Sequence, residues 1–213
     1  KKFKLFTSAE AHGKQSEYIR FGMDYDKWLS NIHRVYKEIP SIEFTIMSTY
    51  NILSVTSYTK FLDDILNIKL SYGTPEHGRN PMLLDIPYLR SPNMLDAHHI
   101  SHDLVEDYLI PALDFMASHS SWDSWSNHQG FERHEIDKLR RIVVHRMYYN
   151  PKKDPRDKDF EIIKQRAMFY DFVNENDRRR GSNFLSVFPE MAAFYQICKD
   201  AKAEAIQLLG ENK

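Results

Sequence analysis

The sequence predicts an α/β protein, with a parallel sheet in the first hundred residues and a helical region after it. Three observations carry this. Apolar runs of strand length alternate with helix-length periodic segments over residues 3–90. Each run ends in polar residues. After Ser101 the strand-like runs stop and only helical spacing remains. An alternation of strand and helix implies right-handed crossovers and parallel pairing. It also puts the carboxyl ends of all strands on one side, where α/β proteins bind ligands.

The first strand covers residues 3–8, with Phe3, Leu5 and Thr7 facing one way and Lys4 and Phe6 the other. A polar turn and a short helix from Gln15 to Arg20 follow. Asp24 is placed to cap a longer helix carrying Trp28, Leu29, Ile32, Val35, Tyr36 and Ile39, which Pro40 ends. Residues 42–47 form the second strand, leading into Ser48-Thr49-Tyr50-Asn51. Ser57 is placed to cap a helix carrying Phe61, Leu62, Ile65 and Ile68. Residues 71–81 read as an exposed loop. Met82 to Ile86 is the third strand, with a short further strand expected over Met94 to Ala97.

The helical region begins with Leu104, Val105, Tyr108, Leu109 and Leu113, interrupted near Pro111. Trp122 and Trp125 fall in an aromatic loop that reads as a satellite core. Residues 131–147 are helical, 150–158 a charged linker, 160–173 helical, 174–183 a polar connection, and 189–209 the last helix. The expected organisation is residues 1–100 as a βαβαβ part, with 101–213 packed on it.

The chain has 213 residues, net charge −1 and a single cysteine, Cys198. Near-neutral charge gives no sign of a nucleic-acid or membrane binder. One cysteine excludes a disulfide framework and any cysteine-ligated cluster built from this chain alone. No apolar run is long enough to span a membrane. A reduced, cytoplasmic setting is the default expectation.

Three chemical readings of single clusters are weaker. His98-His99-x-x-His102 has spacing that can share a metal ion, but solvated histidines before a helix are expected. Arg178-Arg179-Arg180 could meet phosphates, but Glu175, Asp177 and the acids of 154–159 interleave with the basic residues, so a salt-bridged surface is expected. A serine nucleophile at Ser8, activated by His12 and Glu10, lacks the nucleophile elbow and the oxyanion loop.

The opening stretch Ser8-x-Glu10-x-x-Gly13-x-Gln15-x-Glu17-Tyr18-x-Arg20-x-Gly22, followed by Trp28-Leu29-x-Asn31-Ile32, resembles the fourth strand and helix of radical S-adenosylmethionine (SAM) enzymes. It is most similar to the twitch-domain-containing radical SAM proteins of phages and bacteria. The resemblance continues at Thr49-x-Asn51-x-Leu53-Ser54 and at Asp85-x-Pro87-Tyr88-Leu89-x-x-Pro92. It reaches Phe172-x-x-Glu175-x-Asp177-x-Arg179-Arg180-Gly181-x-Asn183-Phe184 and Phe188-Pro189-Glu190.

The resemblance implies a partial (β/α)6 barrel, of which this chain supplies the second half and a helical C-terminal region. It implies SAM across the strand ends. Ser8 and Glu10 would read the ribose and Arg20 the methionyl carboxylate. Asn51 would line the same site, and the backbone around Pro87 to Leu89, with Tyr88 at its centre, would lie by the adenine. Short polar groups suit ribose hydroxyls, and a guanidinium fork suits a carboxylate. The family's CxxxCxxC loop for a 4Fe–4S cluster and its GGE segment are not in these residues. The implied parent reaction is reductive SAM cleavage to a 5′-deoxyadenosyl radical that abstracts hydrogen from an unknown substrate, with this part inactive alone. The alternative is a non-catalytic binding or interaction protein on the same half-barrel scaffold. A half-barrel also leaves the edge of the first strand bare, so either self-association through it or cover from the C-terminal helices is expected.

Overall fold

Three parallel strands, β1 (Lys4–Ser8), β2 (Glu43–Met47) and β3 (Met82–Asp85), form an open sheet in the order β1-β2-β3 in a computed structural model of the chain. The structure describes residues 3–73, 82–121, 129–147 and 160–210. Most of the expected loop at 71–81, the Trp122–Trp125 loop and the linker at 150–158 lie outside the described residues. Register pairs Ser8 with Met47 and Met47 with Asp85, so the polar strand ends are level. An extended bridge between Tyr50 and Tyr88 continues the β2–β3 pairing past the strands.

The crossovers follow from local sequence. Helix α1 (Gly13–Ile19) starts at Gly13, whose φ of 55° lies in the left-handed region that glycine tolerates. Helix α2 (Tyr25–Glu38) is capped as expected: the Asp24 carboxylate accepts from the Lys27 N–H. Ser57 precedes α3 (Tyr58–Tyr72) but does not cap it. Its hydroxyl instead accepts from the backbone N–H of His12, at 3.1 Å, and so ties the start of α1 to the start of α3.

Two further expectations are corrected, and the interruption expected near Pro111 is found. Residues 94–97 form no strand: Asn93–Leu95 and Ala97–His99 are 3₁₀ turns. The Asp96 side chain accepts from the His98 N–H, which favours a turn over extended pairing. The break expected near Pro111 is a π-turn, Val105–Leu109, between α4 (His102–Leu104) and α5 (Ile110–Ser118). Pro111 has no N–H to give to the preceding turn, and a wider turn just before it removes that demand. The polar connection expected at 174–183 is largely helix, because α7 runs Phe160–Arg180. Its last turn is held by Arg178 and Arg179, both paired with Glu175. Gly181, at φ 64°, stops it.

Helix α6 (Arg133–Met147) lies beside β3, and α8 (Phe184–Val187) and α9 (Ala192–Gly210) close the chain. One hydrophobic core joins both parts: Ile46 and Leu84 of the sheet, Leu109, Leu139, and Phe169 and Phe194 of the C-terminal helices belong to it. The helical region therefore shares the sheet's core. No described helix is long and apolar enough to cross a membrane.

The two sheet edges differ. At β3 the backbone N–H of Leu84 donates to the Glu135 carboxylate of α6 at 2.6 Å. Glu135 is fully buried and pairs with Lys69 of α3, also fully buried, at 2.9 Å. Lys69 donates as well to the Met82 carbonyl. At β1 nothing comparable covers the strand among the described residues. Phe3, Leu5 and Phe6 are 67%, 42% and 62% exposed, so the C-terminal helices do not take that place.

Candidate functional site

Level strand ends and the helices after them enclose a cavity of about 390 Å³. Glu10, Arg20, Thr49, Asn51 and Leu89 line it from the sheet side, and Phe172, Asn176 and Arg180 of α7 close it from the other. Its volume lies in the range of small-molecule sites. Of the residues singled out from the sequence, Glu10, Arg20 and Asn51 are brought together here. Ser8, one residue before the turn, is not in the cavity wall. Of the Pro87 to Leu89 segment, Leu89 lines the cavity, while the Tyr88 side chain lines a second cleft. Alternation along an extended segment sends consecutive side chains to opposite sides.

The geometry changes what Glu10 and Arg20 do. Glu10 is 3% exposed. Its Oε2 accepts from Arg20 Nε at 2.7 Å and its Oε1 from Arg20 Nη2, a two-point pair. A buried carboxylate needs such a partner, and a fork–fork pair fixes both groups. One edge of the guanidinium, Nε and Nη2, is thus occupied by the protein itself. Arg20 keeps a 41% exposed side chain in the cavity wall. The Glu10 hydrogen bond, outweighing desolvation, raises the Arg20 pKa, so the cation is secure.

Asn51 has a local task too. Its Oδ1 accepts from the Leu53 N–H at 2.9 Å and its amide donates to the Thr49 carbonyl at 2.9 Å. It caps the 3₁₀ turn Ile52–Ser57 with Ser54 answering back, so the site's floor is a capping box.

The α7 side was not read as part of a site, although Arg180 and Asp177 stood in the C-terminal motif. Arg180 Nη1 donates to the Tyr18 carbonyl at 2.9 Å, and its guanidinium lies over the Phe21 ring. Asp177 accepts from the Tyr18 hydroxyl, the Ser182 hydroxyl and the Phe184 N–H. These contacts bind the C-terminal helices to α1 and hold the cavity's second wall. Residues 159 and 162 positions apart meet here, a separation that no local spacing reveals.

The other clusters resolve differently. His12 Nε2 lies 3.6 Å from Asp64, which also accepts from the Tyr25 hydroxyl, and this draws the imidazole into a pairing apart from Ser8. The histidines at 98 and 99 are not solvated as expected: His99 is 6% exposed, and His98 packs against His145 with ring centroids 4.1 Å apart. His102 is half-buried and paired with Glu106 of the following π-turn. No group of three or more His, Cys, Asp or Glu suited to a metal ion occurs among the described residues. Arg178 and Arg179 form the expected salt-bridged surface.

Fold and site together define a class: a mixed α/β protein with an open parallel sheet and a cavity at its carboxyl edge. Comparison with protein-family models, with curated proteins and with solved structures finds no match for this chain.

Proposed function

We propose that the cavity at the strand ends binds S-adenosylmethionine, and that the chain is the SAM-reading second half of a radical SAM enzyme of the twitch-domain-containing type. The observation that carries this is convergence. Glu10 and Arg20 from the opening motif stretch and Asn51 from the next one meet on one cavity at the carboxyl edge of a parallel sheet. The bare, apolar edge of β1 supports the finer fold, a half of a partial (β/α)6 barrel, because a neighbouring strand there would cover Phe3, Leu5 and Phe6.

The residues fit SAM. Arg20 offers its guanidinium to the methionyl carboxylate, with Glu10 as the positioning residue that holds the fork. Thr49, Asn51 and nearby backbone offer small polar groups to the ribose, and Leu89 an apolar contact to the adenine. The residues do not fit a 4Fe–4S cluster. The single thiol, Cys198, is fully buried, and burial pushes its pKa up to about 12, away from the thiolate a ligand requires. In this reading the cluster belongs to parts of a full-length protein outside this chain. SAM, when bound and reduced there, supplies a 5′-deoxyadenosyl radical, while these residues bind and orient it. A cytoplasmic setting accords with a lone free thiol.

Calorimetric titration with SAM tests the reading. Binding is expected in the unaltered chain, with a loss of about tenfold or more in Arg20→Ala, as for one charge-assisted hydrogen bond. Equal affinity in both proteins, or none in either, would reject it. The alternative, a binding protein without catalysis, is separated by assaying the full-length protein under reducing conditions for 5′-deoxyadenosine.

A further inference from the structure

A second cleft, of about 1,140 Å³, lies behind the first, and its lining is basic and aromatic. The segment after β3 divides the two: Leu89 lines the first cavity, while Tyr88 and Arg90 line the second. Facing them, α6 contributes His134, Lys138, Arg141 and His145. Their spacing of four, three and four places them on one helix face. The wall also holds Arg140 and a single acid, Asp137, which pair with each other. Lys138 is matched by Asp85 at the end of β3.

Two guanidiniums differ from these. Arg90 lies over the Tyr88 ring, 4.8 Å from its centroid, and donates from Nε to the Tyr88 hydroxyl. Arg141 donates from Nε to the Asp137 carbonyl at 3.3 Å. Among the described residues, both meet neutral acceptors rather than carboxylates. A cationic fork on each wall suits a multiply charged tetrahedral anion; of the imidazoles in the lining, His134 is paired with Glu132 and His98 with Asp96. The Tyr88 face with its stacked guanidinium adds a surface for a flat ring. The α6 stripe from His134 to His145 spans only about 16 Å of helix, which suits a small molecule rather than a nucleic-acid track.

We propose that this cleft is a second ligand site for a small phosphate ester, its phosphate gripped between Arg90 and Arg141 and its ring laid on Tyr88. That this ester is the substrate rests on the SAM reading of the first cavity; that the cleft binds it does not. The probes are adenosine 5′-monophosphate, adenosine and inorganic phosphate, titrated into the folded chain by calorimetry, with a single-stranded oligonucleotide as a further arm.

The monophosphate is expected to bind, adenosine to bind about tenfold or more weakly, and Arg90→Gln and Arg141→Gln each to weaken the monophosphate by about tenfold or more. Inorganic phosphate that binds and is lost in the same variants also supports the site. No binding of either phosphate, or affinity unchanged in both variants, overturns it. So does an oligonucleotide that binds far more tightly than the monophosphate. Arg20→Ala separates the two cavities. Monophosphate binding lost in Arg20→Ala and kept in Arg141→Gln puts the probe in the first cavity and overturns the proposal. SAM binding absent with monophosphate binding intact rejects only the SAM reading.

Discussion

Lys69 and Glu135 are the most exacting pair in the protein, because neither touches water and each also satisfies backbone. Glu135 accepts from Lys69, from the Leu84 N–H and from the Glu132 N–H. Removing one partner from such a pair leaves an uncompensated buried charge. Lys69→Met is therefore expected to cost about 3–5 kcal/mol, read from urea unfolding. A loss under about 1 kcal/mol would show that the pair is not closed to water. His99 gives a second residue-scale expectation, in pH. Burial pushes its imidazole down from 6.5 to about 4, with Asp96 acting the other way and His98 and Arg166 adding to the drop. The unfolded chain takes up the proton near 6.5 while the folded chain refuses it to about 4. Fewer protons on the folded state mean that stability falls as pH drops through that window, by on the order of 3 kcal/mol. Burial works against the charge of Asp96 too, yet the His98 ring and N–H hold its carboxyl below the usual range. Its contribution is thus present above the ordinary carboxylate pKa and is lost only at lower pH. Unfolding midpoints at several pH values should flatten between about pH 6.5 and about pH 4 in His99→Gln. An unchanged slope would assign the dependence elsewhere.

Elements were legible where their signals are local. Helix α2 has its cap at Asp24 as expected, and Ile32 and Tyr36 of its apolar face are buried, while Ile39 falls past the helix end and is exposed. The strands were legible as short apolar runs ending in polar residues, and their parallel order followed from the helices between them. The reach of α7 was not, because Asn174 to Asp177 carry polar side chains that mimic a loop. Their partners, Glu175 with Arg178 and Arg179, and Asp177 with Tyr18, appear only when the helix forms. Ser57 was placed correctly at a helix start, but its hydroxyl serves His12, 45 residues away. The same limit hid the second wall of the cavity and the Lys69–Glu135 pair, 66 residues apart. Gly181 tests the element account directly. It ends α7 at a positive φ, and an added Cβ would meet nothing within 4 Å, so only backbone conformation opposes substitution. Gly181→Ala should cost about 1 kcal/mol, and Gly181→Asn less, since asparagine enters this region more readily. Equal stability of all three by thermal unfolding would contradict this.

Across the whole molecule, the sheet is guarded on one side and open on the other. At β3 a buried carboxylate takes the outward N–H of Leu84, so that edge cannot recruit a strand. At β1 the usual defences are missing. Its one lysine, Lys4, is paired with Glu43 on the neighbouring strand at 3.4 Å while its side chain stays exposed. Phe3, Leu5 and Phe6 present apolar surface on both faces. Phe21, 75% exposed, adds to the apolar surface outside the sheet and carries the guanidinium of Arg180 over its ring. An edge with free backbone groups and exposed apolar side chains pairs with whatever strand it meets. In a solution of this chain alone, that strand is β1 of another copy. The chain should therefore associate reversibly, with a weight-average mass in sedimentation equilibrium that rises with concentration. Phe6→Lys puts a charge where the second copy would lie and should shift the mass towards the monomer while leaving unfolding cooperative. Leu5→Lys tests the opposite face of the same strand, and both variants should act in the same direction if pairing is edge to edge. An effect of one substitution alone would indicate packing of one sheet face rather than strand addition. A concentration-independent monomer mass in the unaltered chain would contradict the expectation outright, and would mean that this edge is closed by a contact the β1 side chains do not reveal.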